Sequence, residues 1–196
     1  MKKYFSYIIF SPVLLLFSGN LFSQLLPDSV ALRVVIIRHG EKPDQGNNLN
    51  CMGLNRALAL PAVLDTVTGR PDYTYVPTIS TGKKTSSVRM FQTVTPFAIQ
   101  DSLTINSNYK ETDSIGTAND VLKKRGMVLM VWEHSNIPPL ARALVGKKHA
   151  GLITGWGKTD FDSIWIIDFK LSKEGHLKFA NFSTKQENIF PSPDCK

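Results

Sequence analysis

The sequence predicts a three-layer α/β sandwich, with a mostly parallel central sheet, helices on both faces and an antiparallel edge strand. Three observations lead there. Two near-continuous apolar runs, Leu32–Ile37 (broken only by Arg33) and Met127–Trp132, read as strands buried on both faces, the condition of a parallel strand under helices. Helical patterns alternate with strand patterns between those runs, as parallel crossovers require. Near the C-terminal end, two strand patterns, Ser163–Phe169 and Leu177–Ser183, are joined across Lys173-Glu174-Gly175-His176, a hairpin whose second strand would pair antiparallel at an edge.

Residues 1–23 stand apart from that pattern. Lys2 and Lys3 precede the apolar stretch Ile8–Phe17, and small residues then lead to Ser23, the layout of a secretory signal peptide. The apolar stretch is too short for a spanning helix, so no stable membrane span is expected after cleavage. The expected location is therefore exported, either periplasmic or extracellular. Loss of Lys2 and Lys3 would lower the formal charge from +7 to +5. Export permits a disulfide, for which Cys51 and Cys195 are the only candidates; their pairing is open at this level.

The remaining residues, 24–196, read as one domain without repeat or linker. With 42% apolar residues the chain has the composition of a globular protein, which excludes disordered and collagen-like classes. Two cysteines exclude a Cys-rich zinc module. The positive charge is not gathered into long basic runs, so it points to a small anionic ligand and not to nucleic acid.

Within the domain, Pro43–Asn50 is a turn-rich loop after the first strand. Gly53–Val67 has helical spacing, with a kink expected at Pro61. Tyr75–Ser80 reads as a second strand and Thr85–Ala98 as a second helix, capped by Thr85 or Ser86. Leu103–Asn106 is a short strand, and Ile115–Arg125 a helix that Gly126 would end. Ile137–Leu144 is the last helix, with Pro138 and Pro139 in its first turn.

Ligands of open α/β sheets bind beyond the carboxyl ends of the strands. The first strand runs straight into Arg38-His39-Gly40-Glu41-Lys42, and Met127–Trp132 into Glu133-His134-Ser135-Asn136. The second helix carries Arg89. Two guanidinium forks match the oxygens of a phosphoryl group, and a neutral imidazole is a competent nucleophile toward phosphorus. Nearby cations would depress the pKa of His39 and keep it neutral. His134, if protonated, would stabilise the transferring oxygens, and Gly40 would allow close backbone approach.

These residues carry a resemblance. RHGEK at the end of the first strand, the later Ser87-x-Arg89-x-x-Gln92-Thr93 pattern and the histidine of EHSNIP resemble the histidine phosphatase superfamily, which includes the cofactor-dependent phosphoglycerate mutases. The resemblance runs from about Val34 to Leu144. It implies a phosphoglycerate mutase-like fold with His39 as the phosphorylated nucleophile and Arg38, Arg89 and His134 completing the phosphate pocket. It implies no metal and no cofactor, and a small phosphorylated substrate. The sequence departs from the family pattern at Glu133, where Gly is common. Its general acid is also undefined among Glu111, Asp113 and Glu133. Gly40, Glu133 and Lys42 are expected at the substrate, and Arg56 is expected to be structural.

The expected activity is a metal-independent, acid-type phosphomonoesterase. The alternatives are a catalytically weak member that binds phosphorylated ligands, and a phosphomutase, against which export argues. Four histidines without ligand spacing do not suggest a metal site, and no Walker loop, G-x-G-x-x-G or G-x-S-x-G is present. The three tryptophans, Trp132, Trp156 and Trp165, are expected in the core. Loops Pro43–Asn50, Ser107–Asp113 and Gly155–Phe161 would set specificity, and the last of these is a candidate cover over the site.

Overall fold

The computed structural model describes residues 30–80 and 85–195. The expected signal peptide lies outside the described residues. Strands β1 (Leu32–Arg38), β2 (Tyr73–Tyr75), β3 (Ile105–Asn106), β4 (Gly126–Trp132), β5 (Ser163–Leu171) and β6 (Leu177–Gln186) form one sheet in the order β3-β2-β4-β1-β5-β6. The first four are mutually parallel, β5 is antiparallel to β1, and β6 closes the sheet antiparallel to β5. Helices α1 (Cys51–Val67), α2 (Val88–Gln100), α3 (Ser114–Val121) and α4 (Ile137–Val145) cover it.

The apolar runs fold as strands because alternate residues feed two different cores. Leu32, Val34 and Ile36 of β1 join Val128, Met130 and Trp132 of β4 under α3 and α4. Val35 and Ile37 join Leu129 and Val131 under Leu60 and Leu64 of α1 and Met90, Val94 and Phe97 of α2. A strand with helices on both faces has no polar side, so the alternation vanishes from its sequence. Trp132, Trp156 and Trp165 are all buried. No helix among the described residues is long and apolar enough to cross a membrane.

Several boundaries differ from expectation. The second strand is Tyr73–Tyr75 and not Tyr75–Ser80: Pro77 offers no N–H to continue the ladder. The second helix begins at Val88, not Thr85, because Ser87 takes a left-handed conformation (φ 61°) that no α-helix accommodates. The third helix ends at Val121, and Gly126, expected as its cap, instead opens β4 at φ 94°. Asp72 explains the glycine: its carboxylate accepts from Met127 N at 2.7 Å, and a Cβ on Gly126 would lie 2.2 Å from it. The α1 helix begins at Cys51, capped by the Asn50 side-chain Oδ1 that accepts from Gly53 N at 2.9 Å, and runs through Pro61 to Val67.

Cys51 and Cys195 form a disulfide. It ties the segment after β6 along α1, where Asn55 Nδ2 also donates to the carbonyls of Ser192 (2.9 Å) and Asp194 (2.8 Å).

Candidate active site

Register brings the two histidine-bearing strand ends together. In the parallel β1–β4 pair, Arg38 stands opposite Trp132, so His39 and Glu133 leave the sheet side by side, and His39 N donates to Trp132 O at 3.1 Å. Arg89 stands in the first turn of α2, whose N-terminus adds its own positive potential.

His39 is 1% exposed. Its Nδ1 lies 2.7 Å from Gly40 O. A carbonyl only accepts, so Nδ1 carries the proton and Nε2 keeps its lone pair. Burial pushes the His39 pKa down to about 4; the charges of Arg89 and Arg38 push the same way, while the Gly40 bond and Glu133 oppose. The ring is therefore neutral at any ordinary pH.

Arg38 is held by three groups that its own neighbourhood in sequence does not supply. Nη1 donates to the carbonyls of Lys158 (2.8 Å) and Asp160 (3.0 Å), and the guanidinium lies 3.7 Å over the Phe161 ring. The Gly155–Phe161 loop is thus packed against the site. Nε of Arg38 and Nε of Arg89 are both buried and donate to no acceptor among the described residues. Buried donors are normally paired, so two such groups whose charges both act on one imidazole mark a place prepared for an acceptor.

Gly40 has a reason beyond any ligand. Its N donates to Thr93 Oγ1 at 2.9 Å, and a Cβ there would meet Gly53 O at 2.8 Å. Reciprocally, a Cβ on Gly53 would lie 2.2 Å from Glu41 O. The two glycines let α1 dock against the strand end. Glu41 itself turns inward to Arg56 (Nη2–Oε1 2.8 Å), which also binds Glu187 Oε2 at 2.6 Å. Arg56 is structural, and its second partner was not anticipated. Burial pushes the Glu187 carboxyl up to about 8 in spite of Arg56.

The three candidate acids occupy different places. Asp113 caps α3, accepting from Gly116 N at 2.9 Å. Glu111 accepts from Ser87 Oγ at 2.9 Å, which is why Ser87 caps nothing, and its backbone oxygen accepts from Trp132 Nε1 at 2.9 Å. A cleft of about 480 Å³ opens there, lined by Ser87, Glu111, Lys110, Thr78, Ser80 and Ser86, among others. Glu133 lies against His134 Nδ1 and accepts from Ser135 N at 2.9 Å. Burial alone would raise its pKa, but bonds from Ser135 and the charges of His134 and His39 outweigh burial and hold it below the carboxylate range. Burial lowers His134, helped by Arg38 and Lys158 and opposed by Glu133. Lys42 is exposed, with Nζ 3.4 Å from Pro43 O. Among the described residues no group of three or more His, Cys, Asp or Glu side chains is placed to hold a metal ion.

Neither a family model nor a curated protein matches the sequence. Solved structures do match in fold. A protein of Agrobacterium tumefaciens assigned as the phosphohistidine phosphatase SixA shares 17% identity at a TM-score of 0.50, covering 77% of this chain and 96% of its own. A mycobacterial glucosyl-3-phosphoglycerate phosphatase, solved with inorganic phosphate, shares 13% identity at 0.53 over 77% and 95% of the two chains. A mycobacterial hydrolase shares 12% identity at 0.53 over 82% and 98%. The chain is thus a phosphoglycerate mutase-like α/β sandwich with its candidate site at the carboxyl ends of β1 and β4. The likeness to these structures is one of fold.

Proposed function

We propose that this protein is an exported phosphomonoesterase that works through a phosphohistidine on His39. The observation that carries the reading is the pair of buried guanidinium Nε–H groups, without an acceptor among the described residues, whose charges both act on a neutral imidazole. Arg38 and Arg89 would grip the non-bridging oxygens of the phosphoryl group. His39 Nε2 would attack phosphorus in line while the bond to the leaving oxygen breaks, and Nδ1–H bonded to Gly40 O would carry the positive charge that develops on the ring. His134 would stabilise the equatorial oxygens. Glu111, which lines the cleft beside Ser87, is the proposed proton donor to the leaving oxygen. Water would then cleave the N–P bond and release phosphate. Asp113 is left out of this chemistry because its carboxylate caps α3. Lys42 would lie at the substrate rim, whereas Gly40 is buried with its N–H on Thr93 and serves the docking of α1. The protein's own groups supply every step, so the activity is proposed to be metal-independent. Export rests on the charged and apolar layout of residues 1–23 and on the Cys51–Cys195 bridge, which an oxidising compartment maintains.

Hydrolysis of an aryl phosphate by the protein in EDTA, beside His39→Ala, tests the reading. Activity in the parent and none in the variant is expected. Equal activity in both would overturn the assignment of His39. No activity in either, with inorganic phosphate still bound, would replace hydrolysis by phospho-ligand binding.

A further inference from the structure

Glu133 stands where it need not. It is the first residue after β4, level with His39, and its carboxylate is held at both oxygens. Oε2 accepts from Ser135 N (2.9 Å), Ser135 Oγ and Asn136 Nδ2 (3.3 Å), three donors from the two residues that begin the turn into α4. The backbone is pinned as well, with Glu133 O accepting from Asn136 N at 2.9 Å and Ile137 N at 3.0 Å. Oε1 remains, and it lies in ion-pair contact with His134 Nδ1, although the geometry is not yet that of an aligned hydrogen bond. A carboxylate clamped in this way is a poor proton donor and a good orienter. When one imidazole nitrogen faces a fixed carboxylate, the tautomer and the direction of the other nitrogen follow.

We propose that Glu133 is a positioning residue that acts through His134: it holds the proton on Nδ1, aims Nε2 at the phosphoryl oxygens, and balances the charge when His134 takes up a second proton on anion binding. The proposal rests on the phosphate-site reading above. The groups facing His134 explain why the proton arrives with the anion. Arg38 from β1 and Lys158 from the loop before β5 both disfavour a charged ring, and only Glu133 favours it. Glu133 in turn feels His39, and Arg89 from α2 acts on both Arg38 and His39. A bound phosphate dianion offsets Arg38, Arg89 and Lys158 together, so the balance at His134 then tips toward the imidazolium.

The test uses the full mature protein, its Glu133→Gln and Glu133→Asp variants, and imidazole NMR titration of His134 with and without inorganic phosphate. In the parent, phosphate should raise the His134 titration midpoint. In Glu133→Gln the ligand-free midpoint should fall by about one pH unit, as expected for loss of one adjacent opposite charge, and the rise with phosphate should shrink; Glu133→Asp should restore part of both. Kinetically, Glu133→Gln should lower kcat about tenfold to a hundredfold with KM changed less than about threefold. A His134 midpoint unmoved by Glu133→Gln overturns the proposal, as does a loss confined to esters with poor leaving groups, which would make Glu133 the acid. Midpoint shifts of the expected sign without any hydrolysis in the parent would uphold this pairing while refuting the phosphatase reading.

Discussion

Removing the Cys51–Cys195 bridge should destabilise the fold by an amount set by its loop. The cysteines are 144 residues apart, so the bridge encloses most of the sheet and all four helices. Loop-closure entropy for that length corresponds to about 5 kcal/mol at room temperature, near the upper end of disulfide effects. For a chain of this size each kcal/mol moves Tm by about 2–4 °C, so the double variant Cys51→Ser/Cys195→Ser should melt roughly 10–20 °C below the oxidised protein. The double variant avoids a lone reactive thiol. Beyond the buried Arg56–Glu187 pair and Ile189 against the core, the noncovalent hold on the last residues is slight: the Asn55 bonds, Arg56 to Ile189 O at 3.4 Å, and a Phe190 that is 93% exposed. These contacts are lost on unfolding, so none of them replaces the covalent link in the unfolded chain. Circular dichroism melts with and without reductant give the shift, and thiol titration of the denatured protein should find none free. Two titratable thiols would refute the bridge, and a double variant within about 2 °C of the parent would refute the entropy argument.

Three further outcomes are expected. With His39 at about 4, the acid limb of kcat/KM should lie near pH 4 and not near 6.5, once substrate ionisation is measured alongside; because that pKa is depressed, the residue's contribution to stability, about 3 kcal/mol from a shift of this size, should be lost as pH falls from 6.5 through 4, read by urea unfolding. Glu187 has the opposite sign: its raised carboxyl should cost stability as pH rises from 4.5 to 8, and Glu187→Gln should flatten that slope in the same unfolding series. Arg38→Lys should cut kcat/KM at least about a hundredfold with Tm changed little, since an ammonium reproduces neither the fork nor the stack on Phe161; a loss under about fivefold would remove Arg38 from the phosphate grip.

The parts of this molecule legible in its sequence are those governed by local pattern. Leu32–Ile37 and Met127–Trp132 announce strands through their lack of alternation, and a histidine directly after each announces where chemistry would gather. Thr93 was visible only as a letter in a pattern; its bond to Gly40 N depends on how α2 lies against β1. While Thr85 or Ser86 was expected to cap the helix, Ser87 was visible only as the first letter of the same pattern. Its left-handed backbone and its donation to Glu111 arise from a contact 24 residues away, which no local propensity encodes. Glu187 gave no signal at all, because a lone acid near the end of an exposed strand is ordinarily solvated, and only the docking of α1 brings Arg56 to it. Gly40 was read for what a ligand would need, when the nearer requirement is the backbone of Gly53.

The carbonyls of Lys158 and Asp160 and the face of Phe161 lie about 120 residues after the arginine they hold. Time therefore enters the design. A growing or threading chain carries His39, the proposed nucleophile, and Arg38 from the start, yet the fork stays unaimed until residue 161 has been delivered and β5 has paired with β1. A polypeptide that crosses a membrane unfolded would pass through the cell with its phosphate grip disassembled. On the proposed export, the pocket would first close on the far side, at the end of the journey, and cytosolic phosphoesters would not meet it in its proposed working form.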